Sequence, residues 1–418
     1  MARRTWVIGG VGIAMVVLAS ATGSSDQTAA TSASTPQSAA ASKTAEATVP
    51  PATTAAPTTT DPPPASTSTT TSTSTTTTVA RSTGPFNGAA FDAVLAAATV
   101  DKGDISAGVA VLRNGDEVHT AAFGMENPFE AVPATSDTRF RIASVSKMFT
   151  AVAIMQLVDD GSIVLDQSFT QQLGLDGPFS DPRTAAVTVR QLMSHTSGFT
   201  AARNVFFGHG VDSWQQAAND ALGQVLQFDP GTAFQYSNTN FCLLGKLLES
   251  VTDEPFETVI RERVLEPIGI RAHLAPTFDT AKGDALHASS PGRNYMETLG
   301  PAGGWVTTPL DIAKLASALR TDSPGVHLLD QATVEAMRVP VSVQVEVPPP
   351  LNKWSYGLGL ILFGDGSWGH TGTIESTHAI VINRPDGLTV AVLVSGNVPG
   401  NTDDLQAVID LAVAAASS

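Results

Sequence analysis

Ser144-Val145-Ser146-Lys147, followed by the apolar run Met148-Phe149-Thr150-Ala151-Val152-Ala153-Ile154-Met155, decides how this chain is read. The four residues put a hydroxyl and an amine one turn apart at the start of a helix predicted over 144–160 and closed by Gly161. No other serine of the chain has a lysine three positions on. A serine becomes a nucleophile only beside a base. To be that base near neutrality, Lys147 needs its pKa lowered by about three from 10.4, roughly 4 kcal/mol. Burial among apolar neighbours and the positive end of the helix dipole both push that way, and the dipole also favours an alkoxide at Ser144. The competing reading is a chance Ser-x-x-Lys on a solvated face. The apolar residues that follow Lys147 argue against it.

On either side of this helix the pattern changes period. Residues 91–97 read as an amphipathic helix. Residues 107–112 and 118–123 read as a hairpin turning at Asn114-Gly115. The middle is helical: 187–194, 241–250, and a helix to about 320 opened by Thr308-Pro309-Leu310-Asp311, with a cap, an N1 proline and a first-turn carboxylate. Strands return at 356–363, 367–371, 378–383 and 388–394, and 404–415 is a last amphipathic helix. Consecutive strands with short turns imply an antiparallel sheet. The expected class is therefore α+β, with the two end helices on one face of the sheet and a helix-rich lobe on the other.

Composition narrows the function. The 418 residues carry 23 basic and 39 acidic side chains, a formal charge of −16, which argues against nucleic-acid binding. The single cysteine, Cys242, excludes an intrachain disulfide and a cysteine metal cluster, and its apolar helical setting gives it a buried packing role. No His-Glu-x-x-His and no Gly-x-Ser-x-Gly is present, so a zinc hydrolase and an α/β-hydrolase are disfavoured. Neither metal nor cofactor is called for. Residues 1–21 read as a signal peptide: Arg3 and Arg4, an apolar stretch, then Ala19-Ser20-Ala21 as a cleavage site. An uncleaved membrane anchor is the alternative, and the arginine pair leaves Sec or twin-arginine export open. Residues 22–84, rich in Thr, Ser, Ala and Pro, are expected to be a disordered linker, either a stalk or a passive leader. Residues 85–418 form the folded domain.

Two further clusters can serve acyl transfer. In Tyr236-Ser237-Asn238 a phenol can shuttle a proton and an amide can hold a substrate. In Gly369-His370-Thr371-Gly372-Thr373, on a predicted strand, Gly372 permits close backbone approach and the Thr373 N–H can face an oxyanion. Each alone has a bland reading, as a structural loop and as a strand with a packed histidine. Together with Phe140-Arg141-Ile142-Ala143-Ser144-Val145-Ser146-Lys147, Leu192-Met193-Ser194-His195-Thr196-Ser197-Gly198, Tyr236-Ser237-Asn238-Thr239-Asn240-Phe241, Pro301-Ala302-Gly303-Gly304 and Gly369-His370-Thr371-Gly372, the order resembles the serine penicillin-recognising family. Its members include class C β-lactamases, D-alanyl-D-alanine carboxypeptidases and related esterases. The resemblance covers about residues 91–414.

What the resemblance implies is a β-lactamase/transpeptidase-like fold in which Ser144 is acylated and Lys147 and Tyr236 share base and acid work. Asn238, His370, Thr371 and Gly372 bind substrate, and the backbone N–H groups of Ser144 and Thr373 form the oxyanion hole. Residues 194–198, His195 among them, and 302–304 are structural turns. The family's β-lactamases usually carry lysine where this chain has His370. The His-Thr-Gly form looks most like secreted D-alanyl-D-alanine carboxypeptidases, although family esterases share it. Ile374-Glu375 replaces a frequent glycine-tyrosine pair, and Glu375 would disfavour an anionic substrate. The expectation is an exported, monomeric serine hydrolase on cell-wall peptides of peptidoglycan. The alternatives are an esterase on small esters, a β-lactamase, and, in another class, a non-catalytic surface module. Contact with a membrane would come only through an uncleaved N-terminal segment.

Overall fold

The computed structural model describes residues 84–201, 203–207, 211–341, 354–397 and 402–418. The expected leader, 1–21, and all but the last residue of the expected linker, 22–84, lie outside the described residues.

An eight-stranded antiparallel sheet forms the body, in the order β3-β2-β1-β11-β10-β9-β8-β7. Its strands are β1 (Ser106–Arg113), β2 (Asp116–Asn127), β3 (Val132–Pro133), β7 (Trp354–Tyr356), β8 (Ile361–Phe363), β9 (Trp368–Ile374), β10 (Thr377–Asn383) and β11 (Leu388–Ser395). The β1–β2 hairpin turns at Asn114-Gly115, both at positive φ as the sequence pair suggests. β11 returns to pair with β1, so the two ends of the domain meet at the centre of the sheet.

Alternation along these strands feeds two cores. Val390, Val392 and Val394 face α1 (Gly88–Ala98) and the helix Thr402–Ala416, packing with Phe91, Leu95, Leu405 and Ile409. Ala391 and Leu393 face the helical lobe. The lobe centres on α2 (Lys147–Asp159), ten of whose thirteen residues are buried, as a helix apolar on all sides must be.

Three expectations need correction. The strand expected over 356–363 is two, because Gly357–Leu360 bends into the lobe: the N–H of Leu358 bonds to Met337 O and that of Gly359, at φ 75°, to Met193 O. A Cβ on Gly357 would lie 1.9 Å from Met337 O, so only glycine fits there. Ser144 does not open an α-helix; it sits in a 3-10 turn, Ala143–Ser146, before α2. The helix expected over 187–194 is shorter, Val189–Met193, with Thr188 and Gln191 forming a capping box.

A second sheet, unforeseen, joins β4 (Phe140–Arg141), β5 (Ala272–Leu274) and β6 (Trp305–Thr307) in the order β4-β6-β5. It delivers the chain to Ser144: Ile142 N donates to Trp305 O at 3.1 Å, and Trp305 N donates to Ser146 Oγ at 3.2 Å. Arg141 anchors this approach. Its guanidinium is buried and donates to Ser289 Oγ, the Tyr295 hydroxyl and the Thr277 carbonyl. Burial pulls its pKa down, with Tyr295 opposing. Arg141→Met removes these donors and strands the buried Thr277 carbonyl, while the Ser289 and Tyr295 hydroxyls keep only their contact with each other. It should cost about 2–4 kcal/mol, seen as a lower urea midpoint with unchanged slope.

Candidate active site

β4 runs into Ile142 and then Ala143, which is held at φ 46°, a left-handed conformation that costs a non-glycine residue roughly 1–2 kcal/mol. That sharp turn leaves Ser144 half-buried at the N-terminal end of α2, while Lys147 beneath it is wholly buried.

Lys147 Nζ has three oxygen neighbours: Ser144 Oγ at 3.2 Å, Asn238 Oδ1 at 2.8 Å and Ala302 O at 2.7 Å. Tyr236 and Phe241 present their rings to it, with centroids 4.9 and 5.4 Å away. Burial lowers its pKa to about 7. A neutral amine has two N–H groups and one lone pair. Ala302 O and Asn238 Oδ1 can only accept, so they take the two N–H groups and the lone pair is left for the Ser144 hydroxyl. The two acceptors thus orient the amine, while burial favours its neutral form.

Tyr236 is pushed the other way. Burial raises its phenol well above the usual value, and the neighbouring Ser144 hydroxyl only partly opposes this. The buried phenol oxygen has no hydrogen-bond partner of good geometry among the described residues. It keeps its proton at neutral pH and can give it to a leaving group. Two titratable groups beside one hydroxyl, with pKa values driven apart, can act as a base and an acid.

Asn238 opens the helix Asn238–Thr252. Its Oδ1 is committed to Lys147, so its NH₂ is the end left for a substrate. β9 lies directly on the nucleophile turn. A Cβ built on Gly372 would be 2.3 Å from Ile142 O and 3.0 Å from Ser144 N. The strand bearing Thr373 therefore runs against the Ser144 backbone, where two N–H groups can serve one oxyanion. Thr371 is half-buried and Thr373 exposed.

Two expected substrate contacts need correction. The space beside Gly372 is taken by the protein's own backbone, so its missing side chain admits the Ser144 turn, and substrate does not enter there. His370 is 1% exposed, and both ring nitrogens are engaged: Nε2 with the Tyr356 hydroxyl at 2.9 Å and Nδ1 with Thr371 O at 2.6 Å. Burial and the nearby Lys147 lower its pKa to about 3, so it is neutral and offers a substrate carboxylate no charge. Glu375 is also less exposed as a charge than expected. It accepts from Ser290 N at 2.7 Å and Ser290 Oγ at 2.9 Å, and Arg293 stands 3.8 Å away.

Three contributors escaped the sequence reading. The Ala302 carbonyl is a backbone atom with no signature of its own. Tyr356, placed only at the start of a strand, carried no signal for its contact with His370. Ser146, whose Oγ accepts from Trp305 N, carried no signal beyond its place between Ser144 and Lys147. Cys242 is buried, its thiol near Thr298 O and Leu299 O, in the packing role expected.

Gly372→Ala tests the close approach. The added methyl must push β9 off the Ser144 turn, and displacements near 1 Å at such a site cost about a hundredfold in rate. Acylation of Ser144 should slow by that order, measured by stopped-flow with a chromogenic ester.

The Beta-lactamase family description matches residues 91–415. A Dichelobacter nodosus fimbrial assembly protein, FimD of serogroup D, is 31% identical over 229 residues, covering 52% of this chain and 57% of that protein. The chain thus spans little more than half the length of that relative. Penicillin-binding protein 4 of Amycolatopsis lactamdurans is 27% identical over 316 residues, 70% of this chain and 81% of that one. A D-stereospecific amidohydrolase from Streptomyces sp. superposes with a TM-score of 0.61 at 26% identity, covering 77% of this chain and 97% of that one.

Proposed function

Since the chain belongs to the beta-lactamase family, and its folded domain is accordingly a serine hydrolase with a β-lactamase/transpeptidase-like fold, we propose that it cleaves D-aminoacyl bonds through an acyl-enzyme on Ser144, as a D-alanyl-D-alanine carboxypeptidase on cell-wall peptides. The observation that carries the mechanism is the single amine touching Ser144, Asn238 and Ala302. Lys147 takes the Ser144 proton as Oγ attacks the acyl carbon. The backbone N–H groups of Ser144 and Thr373 stabilise the resulting oxyanion. As the C–N bond breaks, Tyr236 protonates the departing amine and recovers a proton from the Lys147 ammonium. Water, deprotonated by Lys147, which passes the proton to the departing Ser144 Oγ, then releases the acid.

Likeness to a penicillin-binding protein and to a D-stereospecific amidohydrolase supports a D-configured acyl group. The leader-like residues 1–21 and the Thr/Ser-rich 22–84 support export of a hydrolase domain that stands away from the envelope, which we take to be a monomer. Fractionation with N-terminal sequencing tests the export, and light scattering tests the monomer. The deciding experiment measures D-alanine release from a peptide ending in D-Ala-D-Ala, with fluorescent penicillin labelling of Ser144. Absence of both overturns the carboxypeptidase.

One observation favours a second reading. A neutral His370 with both nitrogens engaged leaves the strand without the cation that a terminal carboxylate would seek. The same machinery would then prefer amides or esters without a free carboxylate. Turnover of a D-aminoacyl amide or p-nitrophenyl ester with no peptide cleavage selects that reading, nitrocefin hydrolysis selects a β-lactamase, and inertness toward all of them selects a non-catalytic module.

A further inference from the structure

Tyr236 must keep its hydroxyl within reach of Ser144, yet residues 234–237 have no regular structure. A phenol on such a segment drifts unless both its backbone and its ring are held. One residue holds both. The carbonyl of His195 accepts the N–H of Gln235 at 2.9 Å, and its ring Nδ1 accepts the N–H of Ser237 at 3.2 Å. The amides on either side of Tyr236 therefore both end on His195. Its imidazole also lies against the Tyr236 ring, with centroids 4.3 Å apart.

The neighbours fix the state of this histidine. Ser197 Oγ donates to Asn240 Oδ1 at 2.8 Å, which turns the Asn240 NH₂ toward His195 Nδ1 at 3.2 Å. Two donors on Nδ1 make it the bare nitrogen, so the proton sits on Nε2. Nε2 is buried without a hydrogen-bond partner among the described residues. The backbone is at φ 60°, a conformation that non-glycine residues seldom adopt. An unpaired buried donor and a strained backbone both reduce stability. An apolar residue would avoid the unpaired donor but would leave the Ser237 amide without its acceptor. The fold thus keeps a costly residue whose contacts converge on Tyr236.

We propose that His195 is a positioning residue for Tyr236, aiming the phenol O–H through the two flanking amides and the adjoining, tilted ring without touching substrate. This rests on the reading of Tyr236 as proton donor to the leaving group. An amine cannot depart without that proton. A p-nitrophenolate departs as the anion and needs none. Loss of aim should therefore penalise amides and spare activated esters, whereas general loosening of the fold would penalise both.

The test compares an amide and a p-nitrophenyl ester of the same D-aminoacyl group. His195→Asn suits it because asparagine tolerates the left-handed backbone. Ser197→Ala, which only loosens the Asn240 link, carries the test if the first variant does not fold. For His195→Asn, amide kcat should fall about ten- to a hundredfold with KM within about threefold, and ester kcat should change less than about threefold. Ser197→Ala should act in the same direction and more weakly. On a Tyr236→Phe background neither substitution should cost anything further. Equal losses on both substrates, an undiminished loss on that background, or unchanged kcat with a lower melting temperature overturns the proposal. If the wild-type chain turns over neither substrate, the acyl-transfer reading has failed first and takes this proposal with it.

Discussion

Ser144→Ala should abolish covalent labelling by penicillin and lower turnover of every substrate by a factor on the order of 10⁵. The substitution removes one oxygen from a half-buried position at the surface end of α2. It takes from Lys147 only the contact at 3.2 Å and leaves the shorter ones to Asn238 and Ala302. The fold should therefore be untouched, with the urea midpoint shifted by no more than about 0.5 kcal/mol equivalent. Such a large loss in activity with so small a change in stability separates a nucleophile from a structural serine. Hydrolysis would persist at a low level, because Tyr236 and the backbone donors still bind and polarise a carbonyl. A labelled adduct on the Ser144→Ala protein would move the nucleophile elsewhere and remove the basis of the mechanism.

The parts of this site that the sequence discloses share a property. Each rests on side-chain chemistry at a short spacing or on a strong local period. Ser144 and Lys147 are three residues apart and precede an apolar run, so their proximity and burial could both be inferred. Strands β1, β2, β10 and β11 and the two end helices have lengths and turns that local pattern reveals. β4, β5 and β6 have only two or three residues each, too short for any period to register. The direction in which His370 points was illegible for a different reason. β10 and β11 are buried on both faces, and β9 beside them is largely so, which erases the polar–apolar alternation that tells one face of a strand from the other. A histidine there could face substrate or core, and Tyr356, fourteen residues earlier, determines which. The role of the Ala302 carbonyl depends on tertiary approach alone. Tyr236 and Asn238 became meaningful only beside the other motifs, because neither residue type in a loop carries a preference for catalysis.

Lys147→Met should lower kcat about 10³- to 10⁴-fold, the upper range for loss of a general base. The pH dependence then separates this role from a mere packing role. With a pKa of about 7, the wild-type amine is neutral above that point and protonated below it. Only the neutral amine has a lone pair for Ser144, so wild-type kcat/KM should rise about tenfold per pH unit up to about pH 7 and then level off. The residual activity of Lys147→Met should lack that limb. Stability follows from the same burial. The folded pKa, about 7, lies below the unfolded value near 10.5. Between those values the unfolded chain holds a proton that the folded chain has released, so wild-type stability should gain with rising pH through that window. The destabilisation is complete below about pH 7, where it amounts to roughly 5 kcal/mol, and vanishes above about pH 10.5. Lys147→Met removes this term, and the difference between the two proteins cancels every other titrating group. Relative to wild type the methionine variant should be most favoured at pH 6 and least at pH 10, measured as paired urea midpoints. A pH-independent difference would mean that the amine is not desolvated, and the base would have to be sought in another residue. Lys147→Arg completes the case: a guanidinium can keep the contacts to Asn238 and Ala302 but cannot give up its proton. It should be as inactive as the methionine variant at every pH, so that loss of basicity, with the hydrogen bonds retained, accounts for the defect.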